Sequence, residues 1–202
     1  MGGVQHAGSG VNMLGPYNIT NENVSETKEC DCVIGAAFLI KKDVIEKIGF
    51  LDEGFLPGYY EESDFCFRAK KTGYKTIYVP DIKIIHYENK TMNREVETKK
   101  LLFGEKNRIR FKLLNFPISW LVFSMPYEIL HLGVIFFKKD KNSLLKIKIR
   151  NKILSNLFFY FPKALWPNIK NIREIMNKRT DRTKFINSEK VRSYLNQKPE
   201  II

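Results

Sequence analysis

The sequence predicts an α/β region followed by an α-helical, basic tail, and three observations carry this prediction. Residues 32–88 follow the order strand, helix, loop, helix, strand, strand, which is typical of an α/β layer. After about residue 94 the pattern changes to long helices rich in basic and apolar side chains. The charge changes as well, because residues 1–89 carry 9 Lys and Arg against 13 Asp and Glu, whereas residues 90–202 carry 25 against 9.

The α/β region begins with a loop, a strand and a short helix. Residues 1–29 are rich in Gly, Asn, Ser and Thr with little periodicity, which predicts a loop with at most one short strand. The apolar run CVIGAAFLI (32–40) is bounded by charges and predicts a buried strand. The helix that follows is predicted to have Asp43 as its N-cap and to end at Gly49.

The second helix, EESDFCFRAKKTG (61–73), carries three carboxylates in its first turn: Glu61, Glu62 and Asp64. Its last turn is basic and a glycine follows, which indicates a helix end. Acids at a helix N-terminus complement the helix dipole, so this arrangement alone could explain the cluster. A catalytic acid cluster is the alternative.

Two strands complete the region, YKTIYVP (74–80) and IKIIHYE (82–88), and they are separated by a break at Pro80–Asp81. We therefore predict that residues 1–94 form one unit and that residues 95–202 form a helical, basic and apolar C-terminal region.

The C-terminal region contains a segment of roughly bilayer-spanning length, FPISWLVFSMPYEILHLGVIFF (116–137). Pro126, Glu128 and His131 interrupt it. Residues 138–152 then carry seven basic residues against one acid, as do segments that attach to an anionic leaflet. In-plane association with a membrane is our prediction, and a buried core helix or a true span are the alternatives.

The composition argues against two other classes of protein. The three cysteines (Cys30, Cys32, Cys66) form neither a disulfide framework nor a zinc-binding spacing, which indicates free thiols in a reducing compartment. The basic residues of the C-terminal region flank long Phe, Leu and Ile runs and belong to no nucleic-acid recognition module. We therefore expect no nucleic acid as partner and an anionic membrane surface instead.

Four segments follow one another in a recognisable order: IGAAFLIKK (34–42), IGFLDEGFL (48–56), YYEESDFCFRAKKTGYKTIYVP (59–80) and IIH (84–86). Together they resemble the C-terminal half of the catalytic domain of family 2 glycosyltransferases, in particular the rhamnosyltransferase-like branch. The resemblance covers about residues 1–115 and, loosely, the basic segment ALWPNIKNIREIMNKR. It implies a partial GT-A (Rossmann-like) glycosyltransferase domain followed by a membrane-proximal tail.

This resemblance implies an inverting transfer from a nucleotide sugar. Such an enzyme removes a proton from the acceptor hydroxyl as that oxygen attacks the anomeric carbon, which requires a fixed carboxylate. Glu62 matches the catalytic acid of the family, and Glu61 and Asp64 match its companion acids. In a helix, Asp64 and Arg68 share a face while Glu62 points elsewhere, an arrangement that suits one acid for chemistry and two for holding the loop.

Further residues match substrate-side positions of the family. Asp52 and Glu53 resemble the acceptor-side acid pair, although a turn-forming pair is the alternative. Gly35 and Ala36 match small residues that let the backbone approach the sugar, although a close-packed strand explains them equally well. Arg68 matches the arginine that closes the acidic motif.

The resemblance also implies a divalent cation, Mg²⁺ or Mn²⁺, which takes up the charge of the leaving nucleoside diphosphate. His86 matches a family histidine that can join metal or diphosphate binding, although a hydrogen-bonded structural histidine is the alternative. No D-x-D pair precedes Gly35. We therefore expect the D-x-D site, within a nucleotide-binding half of roughly a hundred residues, to lie outside this chain.

These implications combine into one functional expectation. The chain would be a glycosyltransferase, or the acceptor-side part of one, that transfers a hexosyl or rhamnosyl group to a lipid-linked or cell-surface polysaccharide. It would act peripherally on the cytoplasmic face of the cell membrane. The alternative is a non-catalytic remnant or partner subunit that needs a separate polypeptide with the nucleotide-binding half.

Overall fold

The computed structural model describes residues 6–12, 15–20, 25–82, 84, 94–124, 126–127 and 159–183. Its strands are β1 (His6–Asn12), β2 (Gly15–Thr20), β3 (Lys28–Cys30) and β4 (Thr76–Tyr78). Its helices are α1 (Lys42–Ile48), α2 (Glu61–Lys71), α3 (Arg94–Asn115), α4 (Phe161–Lys170) and α5 (Ile172–Thr183), and the chain is also helical over 118–124. This part of the chain is mostly helical with two small sheets, so it agrees only loosely with the α/β prediction.

The N-terminal residues form a hairpin where the sequence predicted a loop. Strands β1 and β2 pair antiparallel, with Asn12 opposite Gly15 at the turn end. Gly15 has φ +118°, a conformation that glycine adopts without steric cost. Backbone hydrogen bonds define this hairpin, and its polar strands lack the alternation of apolar side chains by which a strand is recognised in a sequence.

The predicted strand over 32–40 is wrong. Residues Gly35–Ala37 form a 3-10 turn, and the Leu39 side chain is 93% exposed. Strands β3 and β4 pair with each other, while the Gly35 N–H donates to the side chain of Glu62. A strand needs a partner for its backbone groups, and in the described residues this segment satisfies Gly35 through a side chain instead.

Helices α1 and α2 lie where the sequence predicted them. The N-cap of α1 is Lys41 and not Asp43, because the Lys41 carbonyl accepts from the Val44 and Ile45 N–H groups. Asp43 lies in the first turn. Gly49 ends the helix with φ +77°, as predicted. Helix α2 carries its three acids in the first turn and its basic residues in the last.

Helix α2 lies between two clusters of buried apolar side chains. On one side, Phe65 and Ala69 pack with Val44 of α1. On the other side, Phe67 packs edge-on against Phe111 of α3. The second cluster joins distant parts of the chain and consists of Phe55, Phe111, Leu114, Phe116 and Ile175. The region before residue 94 and the helices after it therefore share a core, while their division into functional units stays a prediction.

Several predicted features fall wholly or partly outside the described residues. Only 116–124 and 126–127 of the apolar segment are described, and within the part of the chain that the structure covers no helix is long and apolar enough to cross a bilayer. The basic segment 138–152 and most of the predicted strand 82–88 lie outside.

Candidate active site

Helix α3 holds the loop that leads into the acid cluster. The loop ends in two non-glycine residues with positive φ, Tyr59 (76°) and Tyr60 (71°), a conformation that costs roughly 1–2 kcal/mol per residue. The buried amide of Asn107 donates to the carbonyl oxygens of Phe55, Gly58 (2.6 Å) and Tyr59 (3.1 Å). Because one side chain binds three backbone carbonyl oxygens, the loop is held in place and the first turn of α2 has a defined position.

The carboxylate of Glu62 is anchored through one of its two oxygens. Its Oε1 accepts a hydrogen bond from the Gly35 N–H at 3.3 Å. Its Oε2 is shielded from solvent and has no hydrogen-bond partner among the described residues. The structure therefore brings together two predicted site residues, Glu62 and Gly35, and leaves one carboxylate oxygen able to accept a proton.

Glu61 is the second acid at this end of α2, and its Oε2 is likewise shielded without a hydrogen-bond partner in the described part of the chain. Burial raises the pKa of the Glu61 carboxyl, and the negative charge of Glu62 raises this pKa further. Protonation of Glu61 is therefore easier than that of an isolated glutamate. The pair offers one carboxylate anchored by the backbone beside another that is readily protonated.

Asp64 lies beneath these acids and is fully buried. Its Oδ2 accepts from Arg68 Nε at 3.0 Å, and its Oδ1 accepts from Asn115 Nδ2 at 2.8 Å. The Arg68 guanidinium also donates to the carbonyl oxygens of Ile48 (2.6 Å) and Phe50 (2.7 Å). Asp64 and Arg68 thus join α1, α2 and α3, and these contacts favour the loop-holding role of Asp64 over direct contact with a substrate.

Asp52 belongs to a network of charges in which the Asp52 and Arg110 side chains are buried, while Glu174 and Lys178 are partly exposed. Its Oδ1 accepts from Lys178 Nζ (2.7 Å) and the Gly54 N–H (2.9 Å), and its Oδ2 lies 3.4 Å from Arg110 Nη2. Arg110 also pairs with Glu174, at 2.8 and 3.0 Å. Burial opposes ionisation of Asp52, but these hydrogen bonds and charges outweigh it and lower the pKa of Asp52 to about 2. A Cβ on Gly54 would overlap the Arg110 guanidinium, so a larger residue at this position would displace Arg110 from its contact with Asp52.

The other predicted site residues are placed less distinctively. The side chain of Glu53 is exposed and its carbonyl accepts from the Leu56 N–H, as in a turn. Ala36 lies exposed in the 3-10 turn beside Gly35. His86 lies outside the described residues.

Sequence reasoning missed the residues of the C-terminal helices that support the site: Asn107, Arg110, Asn115, Glu174 and Lys178. A weak signal was present in α3, where Asn107 falls in register with Phe111 and Leu114 at a helical spacing. A polar residue on an otherwise apolar helix face indicates a buried hydrogen-bonding role. The partners of that residue lie about 50 positions away and could not be read from the spacing.

The residues in this part of the structure provide no evident metal site. Within the described ranges, no group of three or more His, Cys, Asp and Glu side chains is arranged to hold an ion. Cys30, Cys32 and Cys66 are buried thiols. Burial raises the pKa of Cys32 to about 12 and that of Cys66 to about 11, so both thiols are protonated at neutral pH. The cation implied by the resemblance therefore gains no ligand set from these residues.

Comparison with known proteins identifies two partial relatives. The chain is 33% identical over 58 residues to a galactofuranosyl glycosyltransferase of Leishmania donovani, a match that covers 29% of this chain and 13% of that protein. It is 28% identical over 116 residues to the low-salt glycan biosynthesis hexosyltransferase Agl10 of Haloferax volcanii, which covers 50% of this chain and 38% of that protein.

No family model matches the chain. No solved structure matches it. The matched part spans less than half the length of either curated relative. The chain is thus related to glycosyltransferases over part of its length.

Proposed function

We propose that this chain is the acceptor-side part of an inverting, nucleotide-sugar-dependent glycosyltransferase of family 2 with a GT-A fold. The observation that carries the proposal is the carboxylate of Glu62, with one oxygen bound by the Gly35 N–H and the other without a partner among the described residues. A general base needs this combination, because its position must be fixed while one oxygen stays able to accept a proton.

Glu62 Oε2 is shielded from solvent, so in the proposed reaction the acceptor hydroxyl displaces the groups that cover this oxygen and lies against it. The hydroxyl oxygen attacks the anomeric carbon of the donor, the bond from that carbon to the nucleoside diphosphate breaks, and Glu62 takes the hydroxyl proton. Inversion follows because attack and departure occur on opposite sides of the same carbon. Asn107, Asp64 and Arg68 position the helix end on which Glu62 lies, and they take no part in the bond changes.

A divalent cation, when bound, would neutralise the charge that develops on the leaving diphosphate. We propose that the residues that hold this cation belong to a nucleotide-binding half, with a contribution from His86. That half could be supplied by another polypeptide or by a longer form of this protein.

The names of the two relatives support hexosyl transfer to a glycan as the class of reaction. We propose a lipid-linked or cell-surface glycan acceptor at the inner face of the membrane. The identity of the sugar would depend on the donor site, which we place outside the described residues.

The substitution Glu62→Gln tests the proposal in the enzyme that contains both halves. We expect turnover to fall by about 10²–10⁴-fold, because the amide cannot accept the proton, while calorimetry should show unchanged binding of the donor. Glu46→Gln, an exposed change on α1 of the same chemistry, is the control and should leave turnover unchanged. Full turnover by the Glu62→Gln enzyme would exclude Glu62 as the base.

The same preparation separates the catalytic proposal from the non-catalytic alternative. The purified chain is titrated with nucleotide sugars in the presence of Mg²⁺ or Mn²⁺, alone and together with a candidate donor-half polypeptide. Donor binding and turnover only in the mixture would identify a split enzyme. Donor binding without glycosyl transfer in the mixture would identify a non-catalytic partner.

A further inference from the structure

Helices α4 and α5 follow one another with a break at Asn171, and each has an exposed side. The hydrogen bond from the Asn171 N–H to the Pro167 carbonyl closes α4, and the hydrogen bond from the Ile175 N–H to the Asn171 carbonyl opens α5. The face directed to solvent, called here the outer face, comprises Lys163, Trp166, Ile169, Lys170, Arg173 and Met176.

The opposite face is fully used by contacts with the rest of the molecule. Ala164 and Ile175 are buried, and the Asn168 amide donates to the Lys106 carbonyl of α3 at 2.9 Å. Arg179 donates to the Leu113 carbonyl at 2.7 Å. These contacts fix the orientation of each helix against α3, so the exposure of the outer face is a property of the fold.

The outer face exposes large apolar side chains. Trp166 is 66% exposed, Ile169 50% and Met176 46%. Trp166 and Ile169 are three residues apart and lie on one face of α4, and Met176 is exposed on α5. Exposing several large apolar side chains to water is unfavourable, and such patches mark interaction surfaces.

The same face is also basic. Lys163 and Lys170 are exposed and share a face of α4 at a spacing of seven residues, and Arg173 is exposed in the first turn of α5. The nearest acid, Glu174, does not offset them, because its carboxylate is ion-paired with Arg110 and Lys178. The outer face therefore combines exposed apolar and cationic side chains with no exposed acid among its six members.

We propose that the outer face docks on an anionic lipid bilayer. Trp166, Ile169 and Met176 would enter the interface between headgroups and acyl chains, where an amphipathic helix buries its apolar side chains. Tryptophan is favoured at this depth. The three basic side chains would contact lipid phosphates, whose negative surface potential attracts them. The charge complementarity selects an anionic bilayer over a neutral one.

This surface adds to the proposed function and does not depend on it, because lipid docking requires no chemistry at Glu62. It differs from the segment 116–152, which the sequence predicted as the membrane contact. It also has a structural consequence. Lys178 of α5 binds Asp52, which precedes the acids of α2 in the chain, so docking of α5 would set the height of the acid cluster above the lipid.

Flotation of the whole chain with vesicles tests the charge contribution. The chain should float with phosphatidylcholine vesicles that contain phosphatidylglycerol and only weakly with phosphatidylcholine alone. Neutralising the three bases together (Lys163→Gln, Lys170→Gln, Arg173→Gln) should lower the partition coefficient about a hundredfold. A matched variant that neutralises three exposed bases outside α4 and α5 should change it less than threefold; its substitutions are Lys41→Gln, Lys42→Gln and Lys75→Gln.

The apolar contribution is tested by Trp166→Ala with Ile169→Ala, and Leu39→Ala is the control because Leu39 is exposed elsewhere. The partition coefficient of the double variant should fall at least tenfold, whereas that of the control should stay the same. Since all three side chains are exposed, circular dichroism and the melting temperature should stay unchanged. In a Trp120→Phe background, the remaining Trp166 emission should shift to the blue when anionic vesicles are added.

Three outcomes would overturn the proposal. The first is flotation that the outer-face variants leave unchanged, which would assign membrane binding to another segment. The second is equal binding to neutral and anionic vesicles. The third is loss of a dimer in Trp166→Ala with Ile169→Ala while flotation persists, which would identify the outer face as a contact between copies of the chain.

Discussion

At the scale of single residues, the acids of one helix turn differ because their surroundings differ. Glu62 and Asp64 are two positions apart, but Asp64 is fully buried with partners on both oxygens, from Arg68 and Asn115. Among the residues that the structure describes, Glu62 accepts a hydrogen bond on one oxygen only, from the backbone N–H of Gly35. A carboxylate satisfied on both oxygens is suited to hold structure, whereas one with an unoccupied oxygen is suited to accept a proton.

Asp52 should make the stability of the fold depend on acidic pH. Its pKa of about 2 lies below its usual 3.8, so its stabilising contribution is complete above about pH 4 and is lost as the pH falls to about 2. The shift corresponds to about 2 kcal/mol. In urea unfolding, Asp52→Asn should lower the free energy of unfolding at pH 7 by at least that amount, and the difference from the unmodified chain should shrink towards pH 2.

The neighbouring exposed acid supplies the control for this pH series. Glu53→Gln should change the free energy of unfolding by less than about 0.5 kcal/mol at pH 7. A difference between Asp52→Asn and the unmodified chain that stays constant from pH 7 to pH 2 would contradict the network as described.

At the scale of elements, α3 organises the site although it contributes none of the clustered acids. The Asn107 side chain of α3 donates to carbonyl oxygens of the loop before α2, and the Asn115 side chain at the C-terminal end of α3 donates to Asp64. Between them, Arg110 pairs with Asp52. The positive φ values of Tyr59 and Tyr60 persist because these contacts compensate for their cost. A long helix is well suited to this role because its rigid spacing keeps several contacts at fixed distances.

Asn107→Ala should increase the mobility of the loop before α2 more than it lowers the stability of the whole molecule. The change removes the donor to three carbonyl oxygens and should lower the free energy of unfolding by about 1–3 kcal/mol. Hydrogen exchange of the amides over 55–62 should become faster, while exchange in the middle of α1 stays similar. Lys106→Ala is the matched control, since it removes one exposed hydrogen bond, to the Leu56 carbonyl. Equal effects of the two substitutions would show that Asn107 does not hold the loop.

At the scale of the whole molecule, one core joins segments that lie more than a hundred residues apart. Phe55 precedes the acids, Phe111 lies in α3, and Ile175 lies in α5, yet all three pack in the same cluster. The Asp52 network bridges the same segments. The C-terminal helices are thus part of the structure that supports the acids.

Ile175→Ala should therefore destabilise the molecule as a whole. Ile175 is fully buried, and truncating its side chain to a methyl group should lower the free energy of unfolding by about 2–5 kcal/mol. Ile172→Ala, the same substitution at an exposed position of α5, should lower the free energy of unfolding by less than about 0.5 kcal/mol. Thermal unfolding followed by both circular dichroism and tryptophan emission should show one shared transition, shifted only in Ile175→Ala. Separate transitions for the two probes would indicate that the helices fold independently.

The success of prediction depended on the range of the interactions involved. Interactions within a few positions of one another determine helix α2, its acidic first turn and the end of α1 at Gly49. These features were predicted. The strand over 32–40 was wrong, because an apolar run does not reveal whether a partner strand exists. The position of Asn107 against a loop some 50 residues away could not be read from local spacing.

The sequence alone determined the local elements, the cluster of three acids and the resemblance to glycosyltransferases, because these depend on neighbouring residues in a characteristic order. Only the tertiary structure decided that Glu61 and Glu62 each have a shielded oxygen without a partner among the described residues, and that Asp64 is hydrogen-bonded on both oxygens. It also decided that Asp52 is held by Arg110 and Lys178, and that one face of α4 and α5 stays exposed. The physical reason is that burial and hydrogen-bond partners come from remote parts of the chain, and they determine what each carboxylate can do.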